Sequence, residues 1–466
     1  MFRSLSRAIR LCPLLFLAAC SSRAMLSPAG VTVRGAPPVS SARDAAGDST
    51  PLAPDAESSG GSPAVADERG RDLERLCDQA EADHPRLRAA QERLRGALAR
   101  AESADALPDP RLAFREYLAE VETRSGPMRR ALGLQQALPA AGSRGARRRA
   151  ALAAADTARA RLEAERLALR ADVARAHAEL YHLGRTIAFV RADVGLLEAL
   201  ERVLRARFGA GGASHTDLAR AQVELGRLAD RLEDLEERAG PARAALNAAV
   251  GRPVSAPLAW PAELSRVRLD EADERVLEQA VAANPDLTAL ACELERARAL
   301  ERLASTLRRP KTMLGLEAIQ IDASDGTDGA DAWVVSLGID LPVRRGVYRA
   351  EERAARAAVG AAAGTLEDRR NTVAARAHAA LSRLHDAERK LELYAAALIP
   401  KAREALEAAQ AAFGTGAADL DAVIEAQRTL LEFHLTGERA LADHQILLAE
   451  LESLVGRTLE TTPQRP

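Results

Sequence analysis

Aromatic residues make up only 3% of the 466 residues, although hydrophobic residues make up 47%. The chain therefore has enough apolar material for a large folded protein, but cores built on aromatic rings are not expected. No apolar run reaches about 18 residues, the length that a membrane-spanning helix needs. Four cysteines are too few for a disulfide scaffold.

Lysine is almost absent, with only three residues of this type: Lys311, Lys390 and Lys401. Arginine supplies nearly all of the positive charge, and the net charge is −2. Removal of a leader containing Arg3, Arg7 and Arg10 would lower the net charge to −5. A nearly balanced, slightly acidic chain argues against nucleic-acid binding as the main function, so we expect no nucleic-acid partner.

The N-terminal segment has the pattern of a secretory signal, a basic stretch followed by a short apolar stretch. It ends Leu17-Ala18-Ala19-Cys20, which resembles a bacterial lipoprotein signal over residues 1–19. That resemblance implies acylation of Cys20 and a firm membrane anchor. Ser21, rather than Asp, follows the cysteine, which by the same resemblance favours the outer membrane. An ordinary signal with a cysteine at the cut is the alternative.

Residues 20–68 are rich in Ser, Ala, Gly, Pro and Asp and have no apolar period. Such a segment cannot bury enough surface to offset the entropy of ordering it. We therefore predict a lipid-anchored, flexible tether here.

The rest of the chain is an internal duplication. Phe208–Gly251 aligns without gaps with Phe413–Gly456, at a shift of 205 residues. Further upstream, His84-Pro85 matches Asn284-Pro285 at nearly the same shift. The predicted boundaries are a first repeat over 69–251, a linker over 252–283, a second repeat over 284–456 and a C-terminal tail over 457–466.

Each repeat contains a very long helix. In the first repeat the apolar positions alternate spacings of three and four residues: Val173, Ala176, Leu180, Leu183, Ile187, Val190, Val194 and Leu197. This strict 3.5-residue period is typical of supercoiled helices. With Ser143 as its N-cap and Arg207 near its end, the helix would span roughly 98 Å.

The second copy of the long helix is predicted over about 346–412. Its apolar seam is interrupted once, by Glu388. Gly195 and Pro400 occupy equivalent positions in the two copies. Both residues weaken helices, so we expect a bend at each.

Four short segments read as strands: Arg111–Ala119, Arg130–Leu138, Met313–Ile321 and Ala332–Leu341. The last alternates apolar with small or polar residues, which is the period of a strand with one apolar face. Each is about 9–10 residues long, the length of a transmembrane β-strand. A two-stranded soluble ribbon in each repeat is the alternative. Four strands cannot close a barrel, so a barrel would need several chains.

These features resemble the TolC-like outer-membrane efflux proteins over about residues 69–457. Arg207-Phe208-Gly209-Ala210-Gly211 is similar to the family's first hairpin tip, and Phe413-Gly414-Thr415-Gly416 to the second. Pro108-Asp109-Pro110 and Leu398-Ile399-Pro400 are also similar to family members. The fold that this implies is mainly α with a small β part. Three chains would form a 12-stranded outer-membrane β-barrel, continued by a 12-helix coiled-coil α-barrel.

The resemblance also implies a function and partners. Such a homotrimer is a passive exit duct that docks on a periplasmic adaptor and an inner-membrane pump of the RND or ABC type. The cargo is not identified by the sequence. We expect no catalysis and no cofactor, because the sequence contains no nucleophile elbow, phosphate loop or metal-binding motif.

Candidate site residues follow from the resemblance. The adaptor-docking tips comprise Phe208, Gly209, Gly211, Asp217, Phe413, Gly414, Gly416 and Asp419; plain turns without a partner are the alternative. A constriction of the tunnel mouth falls on Asp421 and Glu425, and a solvated outer face is the alternative. Phe413 lacks the hydroxyl of the family's polar latch, and Ala418 occupies a basic position of that latch, so we expect no latch of the usual kind.

Beyond the second tip, two opposed helix faces are predicted. The charged face comprises Asp421, Glu425, Arg428 and Glu432, and the apolar face comprises Val423, Ala426, Leu430 and Phe433.

Two other classes remain alternatives. A periplasmic adaptor has its own helical hairpin, but typically only one, flanked by β segments. Here the hairpin is duplicated and the strands lie inside each repeat, which favours the duct. A secreted enzyme is the third alternative, without a supporting motif.

Overall fold

The structure, a computed structural model, describes residues 63–210, 214–323 and 328–463. Those residues are mainly helical, with one four-stranded and one two-stranded sheet. No described helix is both long and apolar enough to cross a membrane. The first half of the chain contains, in order, α1 (Pro63–Asp83), α2 (Pro85–Ser103), β1 (Arg111–Thr123), β2 (Gly126–Leu138), α3 (Ser143–Gly209), α4 (His215–Glu237) and α5 (Ala239–Val250).

The second half repeats this order of elements. After the short strand β3 (Val267–Leu269) it contains α6 (Asp273–Ala282), α7 (Pro285–Thr306), β4 (Lys311–Ile321), β5 (Ala332–Asp340), α8 (Arg345–Leu393), a π-helical turn (Tyr394–Leu398), α9 (Ile399–Thr415), α10 (Leu420–Val455) and β6 (Thr461–Pro463). The predicted internal duplication is therefore confirmed.

The two repeats use equivalent residues at the start of α2 and α7. Nδ1 of His84 accepts a hydrogen bond from the N–H of Arg86 at 3.1 Å and caps α2. Oδ1 of Asn284 accepts a hydrogen bond from the N–H of Leu287 at 3.1 Å and caps α7. Because each cap precedes a proline at the first helical position, it fixes where the helix begins.

Each repeat ends at a glycine that lies close to the start of α2 or α7. Gly251 and Gly456 both have φ of 83° at the ends of α5 and α10. A Cβ atom on Gly251 would lie 3.2 Å from the Cα of His84, and one on Gly456 would lie 3.0 Å from the carbonyl oxygen of Ala283. Positive φ and this close approach together favour glycine at both positions.

The long helix α3 has 67 residues, which corresponds to about 100 Å. Val173, Leu180 and Val190 of the predicted seam are completely buried. The helix continues through Gly195 without interruption of its α-helical pattern. Ser143 is its first residue rather than its N-cap, because Gly142 with φ of 83° occupies the cap position.

The second long helix is interrupted where the first is not. α8 ends at Leu393, a π-helical turn follows, and α9 begins with Ile399 and Pro400. Proline has no N–H and its ring crowds the preceding turn, which explains why the α-helical pattern fails just before it. The bend predicted at Pro400 falls directly after this π-helical turn, which separates the two helices.

The helix after the first tip is also divided. α4 ends at Glu237 and α5 begins at Ala239, whereas the equivalent α10 is continuous over 36 residues. Pro241 lies in the first turn of α5, where its missing N–H is tolerated. The repeats therefore share a plan but break their helices at different places.

The four strands form one antiparallel sheet in the order β1-β2-β4-β5. β1 and β2 extend beyond their predicted bounds and are joined by a tight turn at Arg124 and Ser125. Gly126, with φ of 124°, permits this turn, and the Oγ1 of Thr123 donates a hydrogen bond to its carbonyl oxygen at 2.7 Å.

One face of the sheet is apolar across all four strands. One residue from each strand forms a row across the sheet, in the order Leu112, Leu134, Leu316 and Val335. This face is open: Leu112 is 69% exposed and Val335 is 79% exposed. So large an exposed apolar face indicates a surface made to contact lipid or another protein.

The other face carries small residues and charge. Arg115 of β1 forms an ion pair with Glu317 of β4, two strands away. Gly133 of the intervening strand lies beside Glu317, and a Cβ atom on it would lie 3.7 Å from the Cγ of that side chain. The lack of a side chain at Gly133 leaves room for the arginine to cross β2.

Candidate functional site

The first hairpin turns between α3 and α4. α3 ends at Gly209, and Ser214 is the N-cap of α4. The Oγ of Ser214 accepts a hydrogen bond from the N–H of Thr216 at 3.1 Å. Asp217 lies in the first turn of α4. The predicted tip residue Gly211 lies outside the described residues.

The second hairpin turns between α9 and α10. Gly416 follows α9 with φ of 78°, and the N–H of Ala417 donates a hydrogen bond to the carbonyl oxygen of Ala412 at 2.8 Å. This geometry ends the helix with a left-handed glycine. Asp419 precedes α10 in an extended conformation, without a side-chain cap.

The tip glycines that the structure describes are not held by close packing. A Cβ atom on Gly209, Gly414 or Gly416 would meet no atom within 4 Å. These positions therefore present open backbone at the surface of both tips.

A small apolar cluster joins the two hairpins near their tips. Leu204 of α3 and Leu420 of α10 are buried in it, and Phe413 packs against them. The guanidinium of Arg207 lies 5.7 Å from the centre of the Phe413 ring, within range of a cation–π interaction. Phe413 therefore contacts the first hairpin through its ring face, without a hydroxyl.

Phe208 occupies a different environment from its repeat equivalent Phe413. Its side chain is partly exposed and its ring lies edge-on to the ring of His215, with the centroids 5.8 Å apart. The first tip therefore presents two aromatic rings at its surface.

Two ion pairs connect α4 with α10. Arg220 pairs with Asp421 at the surface. Arg428 binds Glu224 with two hydrogen bonds, of which the one from Nε to Oε1 is 2.9 Å long. Both pairs join helices of different hairpins, so they fix one hairpin against the other.

Glu224 is the best-shielded member of this group, with a side chain only 9% exposed. The hydrogen bonds from Arg428 hold the pKa of its carboxyl below the ordinary value. The carboxylate therefore stays ionised and paired at neutral pH.

The two predicted constriction residues differ in their surroundings. Asp421 is paired with Arg220, whereas Glu425 has a side chain 75% exposed, 4.0 Å from Arg428. Glu425 therefore retains most of its contact with solvent, while the charge of Asp421 is largely compensated.

The buried face of α10 only partly follows the predicted apolar face. Val423 is buried as predicted, whereas Ala426, Leu430 and Phe433 are only partly buried. Ile424, Gln427 and Leu431 are buried in addition, and the Nε2 of Gln427 points toward the carbonyl oxygen of Asp193 at 3.5 Å. The buried stripe therefore keeps Val423 and extends to the neighbouring row of residues.

Arg207 was named only as part of the first tip motif, and Arg220 and Glu224 were not predicted as site residues. The sequence did contain a signal for the last two. Beyond the first tip, α4 carries a positive residue followed by a negative one, Arg220 and Glu224. Beyond the second tip, α10 carries the opposite order, Asp421 and Arg428. Within the described residues no group of three His, Cys, Asp or Glu side chains is arranged to hold a metal ion.

A family profile described as "Outer membrane efflux protein" matches residues 76–252 and 276–457. These two matches cover most of the chain and fall on its two repeats. The chain belongs to the outer membrane efflux protein family. No curated protein sequence matches it significantly.

Solved structures share the fold of this efflux protein at low sequence identity. The outer membrane protein VceC from Vibrio cholerae has a TM-score of 0.66 at 20% identity, covering 84% of this chain and 97% of VceC. A membrane protein from Pseudomonas aeruginosa has a TM-score of 0.70 at 21% identity, with 82% and 93% covered. The open state of the MtrE outer membrane channel from Neisseria gonorrhoeae has a TM-score of 0.69 at 18% identity, with 83% and 89% covered.

We predict that Arg428→Ala in this efflux protein lowers the local opening free energy of the tip by about 1–2 kcal/mol, because Glu224 would lose its charged hydrogen bonds while remaining shielded. Hydrogen exchange of the first turns of α10 measures this loss. The effect should be present above the ordinary pKa of Glu224, 4.5, and shrink as the pH falls below it.

The control is Lys401→Ala, which removes an exposed pair with Glu404. That pair should contribute about 0.5 kcal/mol or less. An equal loss in both variants would contradict a special role for Arg428.

Proposed function

We propose that three copies of this efflux protein form the exit duct of a tripartite efflux or type I secretion system. The observation that carries the proposal is the aligned apolar face of the four-stranded sheet, connected to a 67-residue helix. Strands of 9 to 13 residues are long enough to cross the hydrocarbon layer of a membrane. A helix of about 100 Å continues from it as the wall of a tunnel.

Trimer formation follows from the number of strands and the open edges of the sheet. β1 and β5 are its two edges within the described residues. Pairing β5 of one chain with β1 of the next would remove every edge, and three chains give twelve strands. A single chain would leave both edges and the apolar face exposed.

The partners are a periplasmic adaptor and an inner-membrane pump of the RND or ABC type. Open backbone at Gly209, Gly414 and Gly416 supports docking of an adaptor at the tips. Energy for transport would come from the pump, because this chain acts as a passive conduit without catalysis. The strands within each repeat and the family membership argue against the adaptor alternative.

Electron microscopy of the mature protein extracted in detergent tests the assembly. We expect a three-fold particle with a helical tube about 100 Å long, as the length of α3 requires. A monomeric or hairpin-shaped particle would refute the trimeric duct and favour the adaptor.

We further propose that Glu425 lines the periplasmic mouth of the tunnel. Its exposure supports this role, since three copies near an axis would create a negative ring that attracts cations. Arg428, 4.0 Å away, and the pairing of Asp421 with Arg220 reduce the net negative charge there. The mouth should therefore have only a weak preference for cations.

In planar bilayers, Glu425→Gln should lower the ratio of cation to anion permeability, measured as the reversal potential in a salt gradient. Glu407→Gln is the control, because Glu407 is an exposed carboxylate on a different helix, α9. If both variants keep the wild-type ratio, Glu425 does not face the ion path.

The mature N-terminus is proposed to be an acylated Cys20, followed by a tether over 20–68. Cys20 and residues 20–62 lie outside the described residues, whereas residues 63–68, the end of the predicted tether, are helical and belong to α1. The sequence Leu17-Ala18-Ala19-Cys20 supports this anchor, and it places the protein in the outer membrane with the helices extending into the periplasm.

Intact-mass measurement of the membrane-extracted protein tests the anchor. The wild type should lack residues 1–19 and carry the added mass of acyl chains, whereas Cys20→Ser should retain the leader and carry no lipid. Cleavage of the wild type without added mass would indicate an ordinary signal peptide.

A further inference from the structure

Glu388 is the polar residue that interrupts the apolar seam of α8. Its neighbours in the seam, Leu384 and Leu391, are buried, and the side chain of Glu388 is only 11% exposed. Burial of an unpaired carboxylate costs several kcal/mol, so its retention at this position requires partners.

Three groups from three elements approach this carboxylate. The N–H of Leu269 in β3 donates a hydrogen bond to Oε1 at 3.1 Å. Nδ1 of His385, on α8 itself, lies 3.3 Å from Oε2. Nε2 of His444, on α10, lies 3.6 Å from Oε1, and this imidazole is 1% exposed.

His385 links the group to a fourth element. Its Nε2 lies 3.0 Å from Oδ1 of Asp273 in the first turn of α6. The titratable groups facing one another are therefore Asp273 from α6, His385 and Glu388 from α8, and His444 from α10. β3 contributes only a backbone N–H.

The charge of this group depends on the proton of His385. Burial lowers the pKa of His385, but hydrogen bonds to Asp273 and Glu388 raise this pKa above its ordinary value. Burial would raise the pKa of Glu388, but His444, the N–H of Leu269 and His385 bring it down to about 2. The geometry thus favours a protonated imidazole between two carboxylates.

We propose that Asp273, His385, Glu388 and His444 form a proton-dependent clamp that holds strand β3, and with it the C-terminal strand β6, against helix α8. β3 pairs with β6 through Arg268 opposite Thr462 and Leu269 opposite Thr461. Because Glu388 accepts the hydrogen bond from the N–H of Leu269 and lies against His385, the protonation of His385 controls how firmly this strand pair is docked.

The pH window follows from the two shifts. The stabilisation from His385 is complete below its ordinary pKa of 6.5 and is lost as the pH rises through the higher pKa of the folded protein. The stabilisation from Glu388 is present above its ordinary pKa of 4.5 and is lost as the pH falls toward about 2. The clamp is therefore tightest in mildly acidic solution and loosens in alkaline solution.

Hydrogen exchange of the full-length, detergent-extracted protein tests the clamp at the amide of Leu269. After correction for the intrinsic pH dependence of exchange, protection in the wild type should be severalfold greater at about pH 5.5 than at about pH 8.5. Glu388→Gln and His385→Asn should each abolish this difference. Glu392→Gln, at an exposed position one turn further along α8, is the matched control and should retain it.

Glu388→Leu separates the clamp from simple packing. Leucine completes the apolar seam, and replacing a buried charged group by an apolar one is often neutral or stabilising. This variant should remain folded, with protection of β6 that no longer depends on pH. The proposal is overturned if Glu388→Gln or His385→Asn keeps the wild-type pH dependence, or if Glu392→Gln loses it.

Discussion

Packing along an unbroken 3.5-residue repeat in α3 is the interaction on which the rest of the structure depends. Val173, Leu180 and Val190 face neighbouring helices along its length and are completely buried. α3 packs against α7 and α10, so one helix ties both repeats together. The small alanines between these positions allow close approach of the helices, and the 67 residues of α3 separate the sheet from the tips by about 100 Å.

Arginine ion pairs add to the contacts that small apolar side chains make between the helices. Alanine-rich seams bury little apolar area for each residue. Ion pairs join neighbouring helices at several positions along their length. Arg170 joins α3 to Glu81 of α1, and Arg369 joins α8 to Asp286 of α7. Such partly exposed pairs contribute at most about 1 kcal/mol each, but the planar guanidinium fixes the register of neighbouring helices. This explains why a chain with three lysines has so many arginines.

The two repeats share a plan but differ in where their helices break and in how their tips pack. The second repeat breaks its long helix with a π-helical turn before Pro400, and the first instead divides its return helix near Pro241. At the tips, Phe413 packs into the cluster between the hairpins while Phe208 stays near the surface. The two hairpins of the duplication are therefore similar, but the tip phenylalanine of the second makes internal contacts and that of the first lies at the exterior.

The sequence by itself determined the periodic features of this efflux protein. These features depend on the spacing of residues in the sequence, and packing only confirms them. They are the heptads of α3, the strand alternation of Ala332–Leu341 and the repeat at a shift of 205 residues. Tertiary structure alone decided which charges meet: Glu224 with Arg428, and Glu388 with β3, are 204 and 119 residues apart in sequence. Local charge pattern does not fix such pairs, because the choice of partner depends on how helices rotate when they pack. Packing likewise decided that the buried stripe of α10 includes Ile424, Gln427 and Leu431 beside the predicted Val423.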